Sequence, residues 1–221
     1  MTENELRQKV STTAQKFIGV VKDSVRHQEL LKIYNSAEQL PRGYRMSTSD
    51  PWCACFVSAI SLQCGLTDIM PIECSCGKMV QLYQKLGRWM ESDSYKPNIG
   101  DVIFYYWSDP KNHAFDQTGA PNHVGIVTEL SGNSFTVIEG NRVINGVSQV
   151  AYRSMDVDGR YIRGFGLPDY ASKASKPKAP WYEEYMEWGK KMGISDGTRP
   201  NDNMTRAEAH AMLKRLYDLV V

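Results

Sequence analysis

Over residues 1 to 169 the hydrophobic period of this chain changes once, from helical to alternating, and that change limits the folds open to it. Apolar residues recur at helical spacing over residues 3 to 33 and about 51 to 64. Strand-like patterns fill 101 to 107, 123 to 130, 135 to 141 and 160 to 166. Helices first and strands later indicate an α+β domain. The stretch DYASKASKPKAP, from Asp169 to Pro180, is rich in Ser, Lys, Ala and Pro and has no apolar period. A first domain over 1–169 and a linker over 170–180 are therefore expected.

Beyond the linker, residues 181–221 read as a small helical hairpin. Trp181, Tyr185, Trp188 and Met192 recur at helical spacing, with Gly193 as the stop. Thr205 and Glu208 form a capping box before Met212, Leu213, Leu216 and Leu219, which announces a second helix.

Charge excludes more than it suggests. Lys and Arg number 26 against 25 Asp and Glu, a formal net charge of +1, so nothing global favours a nucleic acid or a membrane surface as partner. The opening MTENELRQKV is polar and acidic where an export signal needs a basic start and an apolar core. Apolar runs are also far shorter than the roughly 20 residues of a membrane helix. The five cysteines, Cys53, Cys55, Cys64, Cys74 and Cys76, are an odd number without an export signal, so free thiols are expected rather than a disulfide framework. Their two pairs have one intervening residue where structural zinc sites have two to four, so no metal is expected.

One cysteine stands apart. In Asp50-Pro51-Trp52-Cys53, Asp50 can cap a helix and Pro51 can take its first position, which places Cys53 in the first turn. There the free N–H groups and the helix dipole stabilise a thiolate, the form in which sulfur attacks a carbonyl carbon. The other four cysteines read as small buried core residues, with Cys55 pointing elsewhere from its place two residues on.

A base is available downstream. Asn122-His123-Val124-Gly125-Ile126-Val127 enters a strand, Ser131-Gly132-Asn133-Ser134 turns it, and a second strand ends at Glu139-Gly140-Asn141. With a one-residue bulge at the turn, His123 lies opposite Asn141 and diagonal to Glu139, on one face. An imidazole needs a polar group on its second nitrogen to fix its tautomer, and either Glu139 or Asn141 could serve. His27 and His210 fall in helical patterns and His113 in a loop, which makes them weaker candidates.

In their order, DPWCACFVSAI, PNHVGIV and VIEGN resemble the CHAP family of cysteine amidohydrolases and peptidases, over about Leu30 to Asp169. The resemblance implies a papain-like α+β fold with an antiparallel sheet. It assigns catalytic roles to Cys53, His123, Glu139 and Asn141, and needs no cofactor. IYNSAEQLPRGYRM looks like the lead-in of phage endolysins of this family, which implies peptidoglycan as substrate and a protein made in the host bacterial cytoplasm that acts on the wall after release. Some relatives carry an acidic calcium loop before the cysteine. Here Met46 to Pro51 offers only Asp50, so calcium dependence is not implied.

Tyr44, Trp52, Trp107 and Asn122 are candidates to line the substrate groove. The C-terminal segment, with WYEEYMEWGKKMGISDG and RPNDNMTRAEA, resembles a single S-layer homology motif. That implies binding to a wall-linked polymer, or homo-oligomerisation through residues 181–221, since one such motif seldom buries enough to fold alone. Two competing classes share these residues: a non-catalytic wall-binding protein on the same scaffold, and a thiol acyltransferase with an amine acceptor.

Overall fold

The structure, a computed structural model, describes residues 1–92, 94–108, 119–175 and 182–221. His113 and Trp181 lie outside the described residues. Two compact units emerge, Met1–Ala174 and Ser175–Val221.

In the first unit, α1 (Glu3–Gln15) begins where Thr2 and Glu5 form a reciprocal capping box, and it buries Leu6, Val10 and Ala14. The helical reading of 3 to 33 breaks after Gln15. Residues 19–22 instead run beside the outermost strand, with Gly19 N–H donating to Val150 O and Val150 N–H to Val20 O. An unpaired sheet edge is thereby covered. Ser24 then caps α2 (Val25–Asn35) by accepting from His27 N–H. The central helix α3 (Cys53–Cys64) is apolar all round and nearly wholly buried, and it ends at left-handed Gly65. A further helix, α4 (Cys76–Lys85), packs Cys76, Met79, Val80 and Tyr83 inward.

The strands β1 (Trp89–Met90), β2 (Val102–Tyr105), β3 (His123–Ser131), β4 (Ser134–Ile144), β5 (Val147–Asp156) and β6 (Ile162–Gly166) form one antiparallel sheet in the order β1-β6-β2-β3-β4-β5. One face, with Val102, Phe104, Val124, Ile126 and Ile138, packs on the helices; the other carries Ile103, Tyr105, Val127, Phe135 and Val137. Each buried aliphatic or Phe side chain contributes about 1.5–3 kcal/mol, which makes α3 on the sheet the main source of stability. Arg7 of α1 bonds both Ile99 O and the Asp101 carboxylate, tying the first helix to the start of β2.

The hairpin of β3 and β4 differs from expectation in one detail. The turn at Gly132-Asn133 is tight, with Ser131 paired to Ser134, and the irregularity falls between Val127 and Glu129, inside the strand. Beyond it, Ile126 pairs with Ile138, so by count Gly125 faces Glu139. A second bulge interrupts β4 against β5 between Glu139 and Arg142, where Asn141 has φ 57°.

The expected start of the linker is corrected. Tyr170–Lys173 form a short helix, α5, and Tyr170 is buried in the first unit, its hydroxyl donating to Gly100 O at 2.8 Å. A buried aromatic with a satisfied hydroxyl fixes this segment more firmly than its Ser/Lys-rich surroundings suggest.

In the second unit, α6 (Glu183–Lys191) has acidic residues in its first turn and lysines in its last, matching the helix dipole, and left-handed Gly193 follows it. The capping box of Thr205 and Glu208 opens α7 (Arg206–Val220). No residue of α7 is buried, and Leu213, Tyr217 and Leu219 are exposed.

Candidate active site

Cys53 is the first residue of α3, with Trp52 as the cap residue; no side chain caps this helix. Asp50 is not the cap. Its carboxylate accepts from Ser47 N–H, Ser47 Oγ and Tyr44 Oη, and so shapes the loop before the cysteine. The freed amides of the first turn remain beside the sulfur, and the Cys53 thiol is 5% exposed within the core edge.

His123 begins β3, and its Nε2 lies 3.1 Å from Glu139 Oε2. The ring and the Cys53 thiol influence each other electrostatically, the imidazole lowering the thiol pKa and the thiol raising that of the imidazole; with Nε2 engaged by Glu139, Nδ1 is the nitrogen left to serve sulfur. Glu139 is wholly buried on β4, and its second oxygen accepts from Arg153 Nε at 2.6 Å. The diagonal reach from Glu139 to His123 needs empty space above Gly125. A Cβ there would stand 2.5 Å from Val137 Cγ1 and 2.9 Å from Glu139 Cγ. A side chain at 125 would therefore displace the carboxylate from the imidazole.

The electrostatics follow from these contacts. The Cys76 thiol first, then the His123 imidazole and the Ala54 N–H, hold the Cys53 thiol well below its ordinary range, against the opposing pull of burial. For His123, burial alone would favour the neutral ring. The hydrogen bonds and charges of Cys53 and Glu139 outweigh it and push the imidazole up to about 9. Burial would likewise raise Glu139, but His123 and Arg153 hold it below the usual carboxylate value. A thiolate beside an imidazolium, backed by a carboxylate, is the charge state these groups favour.

Residues 44–141 match the family model of the CHAP domain. No curated protein and no solved structure matches the chain. The match spans Cys53, His123, Glu139 and Asn141, and it supports a cysteine-dependent hydrolase of amidase or peptidase type with peptidoglycan as substrate. It stops short of α1, α2, β5, β6 and the second unit, so Arg153 is supplied from outside the matched CHAP segment.

Of the two partners considered for His123, the structure puts only Glu139 on its ring. The bulge in β4 inverts the alternation at Asn141, and its carboxamide oxygen accepts from Ser148 Oγ at 2.7 Å. Ser148 Oγ in turn accepts from Trp52 Nε1 at 3.2 Å. Asn141 therefore anchors the residue before the nucleophile. Trp52 itself cannot line a groove, since it is wholly buried against His27, with ring centroids 4.5 Å apart. An indole beside the nucleophile looks the same in sequence whether it faces inward or out.

Tyr44 is exposed and bonded to Asp50. Trp107 stacks on Tyr105 at 4.8 Å, beneath the Arg153 guanidinium and 6.3 Å from the His123 ring. Asn122 accepts from Trp107 N–H, holding the chain that leads into His123.

Two residues of the candidate site were missed in the sequence. Arg153 comes from β5, a strand also missed, although Asn145-Gly146 with positive φ at both positions is the dipeptide that marks a tight hairpin. Cys76 was read as an inert core residue, yet its sulfur lies 3.7 Å from that of Cys53. The period of Cys76, Met79, Val80 and Tyr83 announces α4, but nothing local to it reveals which other helix start it meets.

Proposed function

We propose that this protein is an endolysin-like peptidoglycan hydrolase that cuts an amide bond through a thioester on Cys53. The observation that carries this reading is the buried Glu139 carboxylate 3.1 Å from the His123 ring, a ring electrostatically linked to the thiol of Cys53 at the start of α3. With the proton already on His123, the Cys53 thiolate attacks the amide carbonyl, and amides of the first turn of α3, including that of Cys53, receive the oxyanion. His123 then gives its proton to the leaving amine. Water, deprotonated by the same ring, releases the acid and restores the thiolate. Glu139 steadies the imidazolium throughout.

In this reading Asn141 supports the site through Ser148 and Trp52 instead of orienting His123. Tyr44, ahead of the cysteine motif, and Trp107, ahead of the histidine motif, are the aromatic groups offered to the glycan–peptide substrate. The protein meets its substrate after release from the host cytoplasm. The second unit serves wall attachment or self-association, a role supported by the apolar residues exposed on α6 and α7, among them Trp188, Leu213 and Leu219.

Cys53→Ala should lower the clearing of bacterial wall suspensions by at least about 10⁴-fold while leaving the circular dichroism spectrum unchanged. Clearance at the parental rate would remove the hydrolase reading and leave a wall-binding protein on a hydrolase scaffold. Mass spectrometry of digested peptidoglycan identifies the bond. A new N-terminal alanine beside a free muramic carboxylate denotes an amidase, and shortened stems or cross-bridges denote an endopeptidase. Addition of an amine tests for acyl transfer in the same assay.

A further inference from the structure

Cys76 is a buried nucleophilic group that the hydrolytic cycle does not consume. Its Sγ stands 3.7 Å from Cys53 Sγ, about van der Waals contact for two sulfurs and close enough that side-chain rotation can bring them to the roughly 2.05 Å of a disulfide. Each is the first residue of its helix, α3 for Cys53 and α4 for Cys76. The arrangement is also held in place. Ser58, on α3 itself, donates to Glu73 O at 2.7 Å and accepts from Glu73 N–H at 2.8 Å. The Glu73 carboxylate then accepts from Cys74 N–H and Ser75 N–H, and from Arg42. The segment that delivers Cys76 is thus fastened to the helix that carries Cys53, and the two sulfurs are kept together by the fold.

We propose that Cys53 and Cys76 form a reversible dithiol–disulfide couple, in which Cys76 is the resolving thiol that captures an oxidised Cys53 and switches the hydrolase off. The inference takes Cys53 as the nucleophile from the functional reading above, but its test is read on the peptide map, independently of hydrolysis. The oxidant is a hydroperoxide. The Cys53 thiolate attacks one peroxide oxygen, an S–O bond forms and the O–O bond breaks; the sulfur loses two electrons, and the departing hydroxide or alkoxide takes a proton from His123. Cys76 sulfur then attacks the sulfenic sulfur, an S–S bond forms, the S–OH bond breaks, and hydroxide leaves as water with the Cys76 proton. A dithiol reductant reverses the reaction by exchange. The functional reading requires Cys53 to be reached by a substrate carbonyl, and a hydroperoxide is smaller than that substrate. The disulfide occupies the attacking sulfur, so the oxidised protein has no nucleophile.

The test uses the full chain treated with a small molar excess of hydrogen peroxide, with clearing activity and a non-reducing peptide map read in parallel. Both cysteines lie between Arg45 and Lys78 with no Lys or Arg between, so cleavage at Glu73 is needed to separate them. We expect a joined pair of peptides containing Cys53 and Cys76, lighter by two hydrogens. Clearing should fall at least about tenfold and return with dithiothreitol. In Cys76→Ser the joined pair should be missing, Cys53 should carry two or three added oxygens, and dithiothreitol should restore nothing. Cys74→Ser should behave as the parent does. A parental map showing sulfinic Cys53 without the joined pair, or Cys53 joined to Cys55 or Cys74, would overturn the proposal. Equal recovery of Cys76→Ser would do the same, and the parental map decides even if that variant misfolds. Should Cys53→Ala still clear walls, the hydrolase reading fails while the joined peptide is judged on the map alone.

Discussion

Glu139 faces two cations at once, the His123 ring at 3.1 Å and the Arg153 guanidinium at 2.6 Å, with no exposure to water. A buried carboxylate is costly unless both oxygens are satisfied, and here each has its own donor. Glu139→Gln keeps the shape but removes the charge. It should reduce kcat by about 10²- to 10⁴-fold and destabilise the fold by roughly 3 kcal/mol, because Arg153 loses its partner. The pH profile distinguishes this from a simple loss of packing. His123 is raised from 6.5 to about 9, so the imidazolium, and the activity that needs it, should be lost as pH climbs through about 9. Glu139→Gln should move that alkaline limb to lower pH. Stability follows the same sign: the His123 contribution is complete below about 6.5 and is gone above about 9. Cys53 contributes oppositely, its depressed thiol adding stability that is full above its ordinary 9.0 and is lost as pH falls through its lowered value. Urea midpoints across the alkaline range, compared with those of Glu139→Gln, would check the His123 part.

Among the elements, α3 and the β3–β4 hairpin must approach closely for sulfur and imidazole to meet, and two glycines permit it. A Cβ on Gly140 would collide with Phe56 Cβ and would come 3.2 Å from Trp52 Cε3, forcing α3 away from β4. Gly140→Ala should therefore cost about 1–3 kcal/mol by overpacking and lower activity as well. Gly125→Ala intrudes on Glu139 Cγ and should lower activity more than stability, since the site is displaced while the helix packing stays. Urea unfolding and clearing rate measured on both variants would check the contrast. Both glycines stand in plain view in HVGIV and IEGN, but their reason lies in the opposing element. The bulge that turns Asn141 away from His123 is of the same kind: alternation put it on the catalytic face, and one extra residue in β4 turned it toward Ser148 and Trp52.

The whole molecule divides into Met1–Ala174 and Ser175–Val221. The first unit holds the layered core and every residue of the candidate site. In the second, Ile194 is the one buried large apolar side chain among the described residues. A piece this small gains little from burial. A chain ended after Ala174 should keep its melting transition and its cleavage of soluble peptidoglycan fragments, and should lose binding to intact walls in a pelleting assay. Hydrogen exchange in the parent should be fast over α7 and slow over α3 and β3. If the second unit associates with copies of itself, light scattering will give a multiple of the 25.0 kDa chain mass; a strict monomer would reject association.

The α+β order, the capping box of α7 and the hairpin carrying His123 could be read from sequence, because each depends on residues close together along the chain. Cys53, His123 and Glu139 were visible for the same reason, each within a short motif. The contacts that govern them were not. Arg153 reaches Glu139 from β5, Cys76 reaches Cys53 from the start of another helix, and Trp52 turns inward because His27 and Ser148 wait there. Such neighbours meet only when separate elements pack, and a local pattern carries no record of what lies across the core. Sequence by itself therefore marked out the candidate groups; tertiary packing decided which of them share a hydrogen bond, a charge or a neighbouring sulfur.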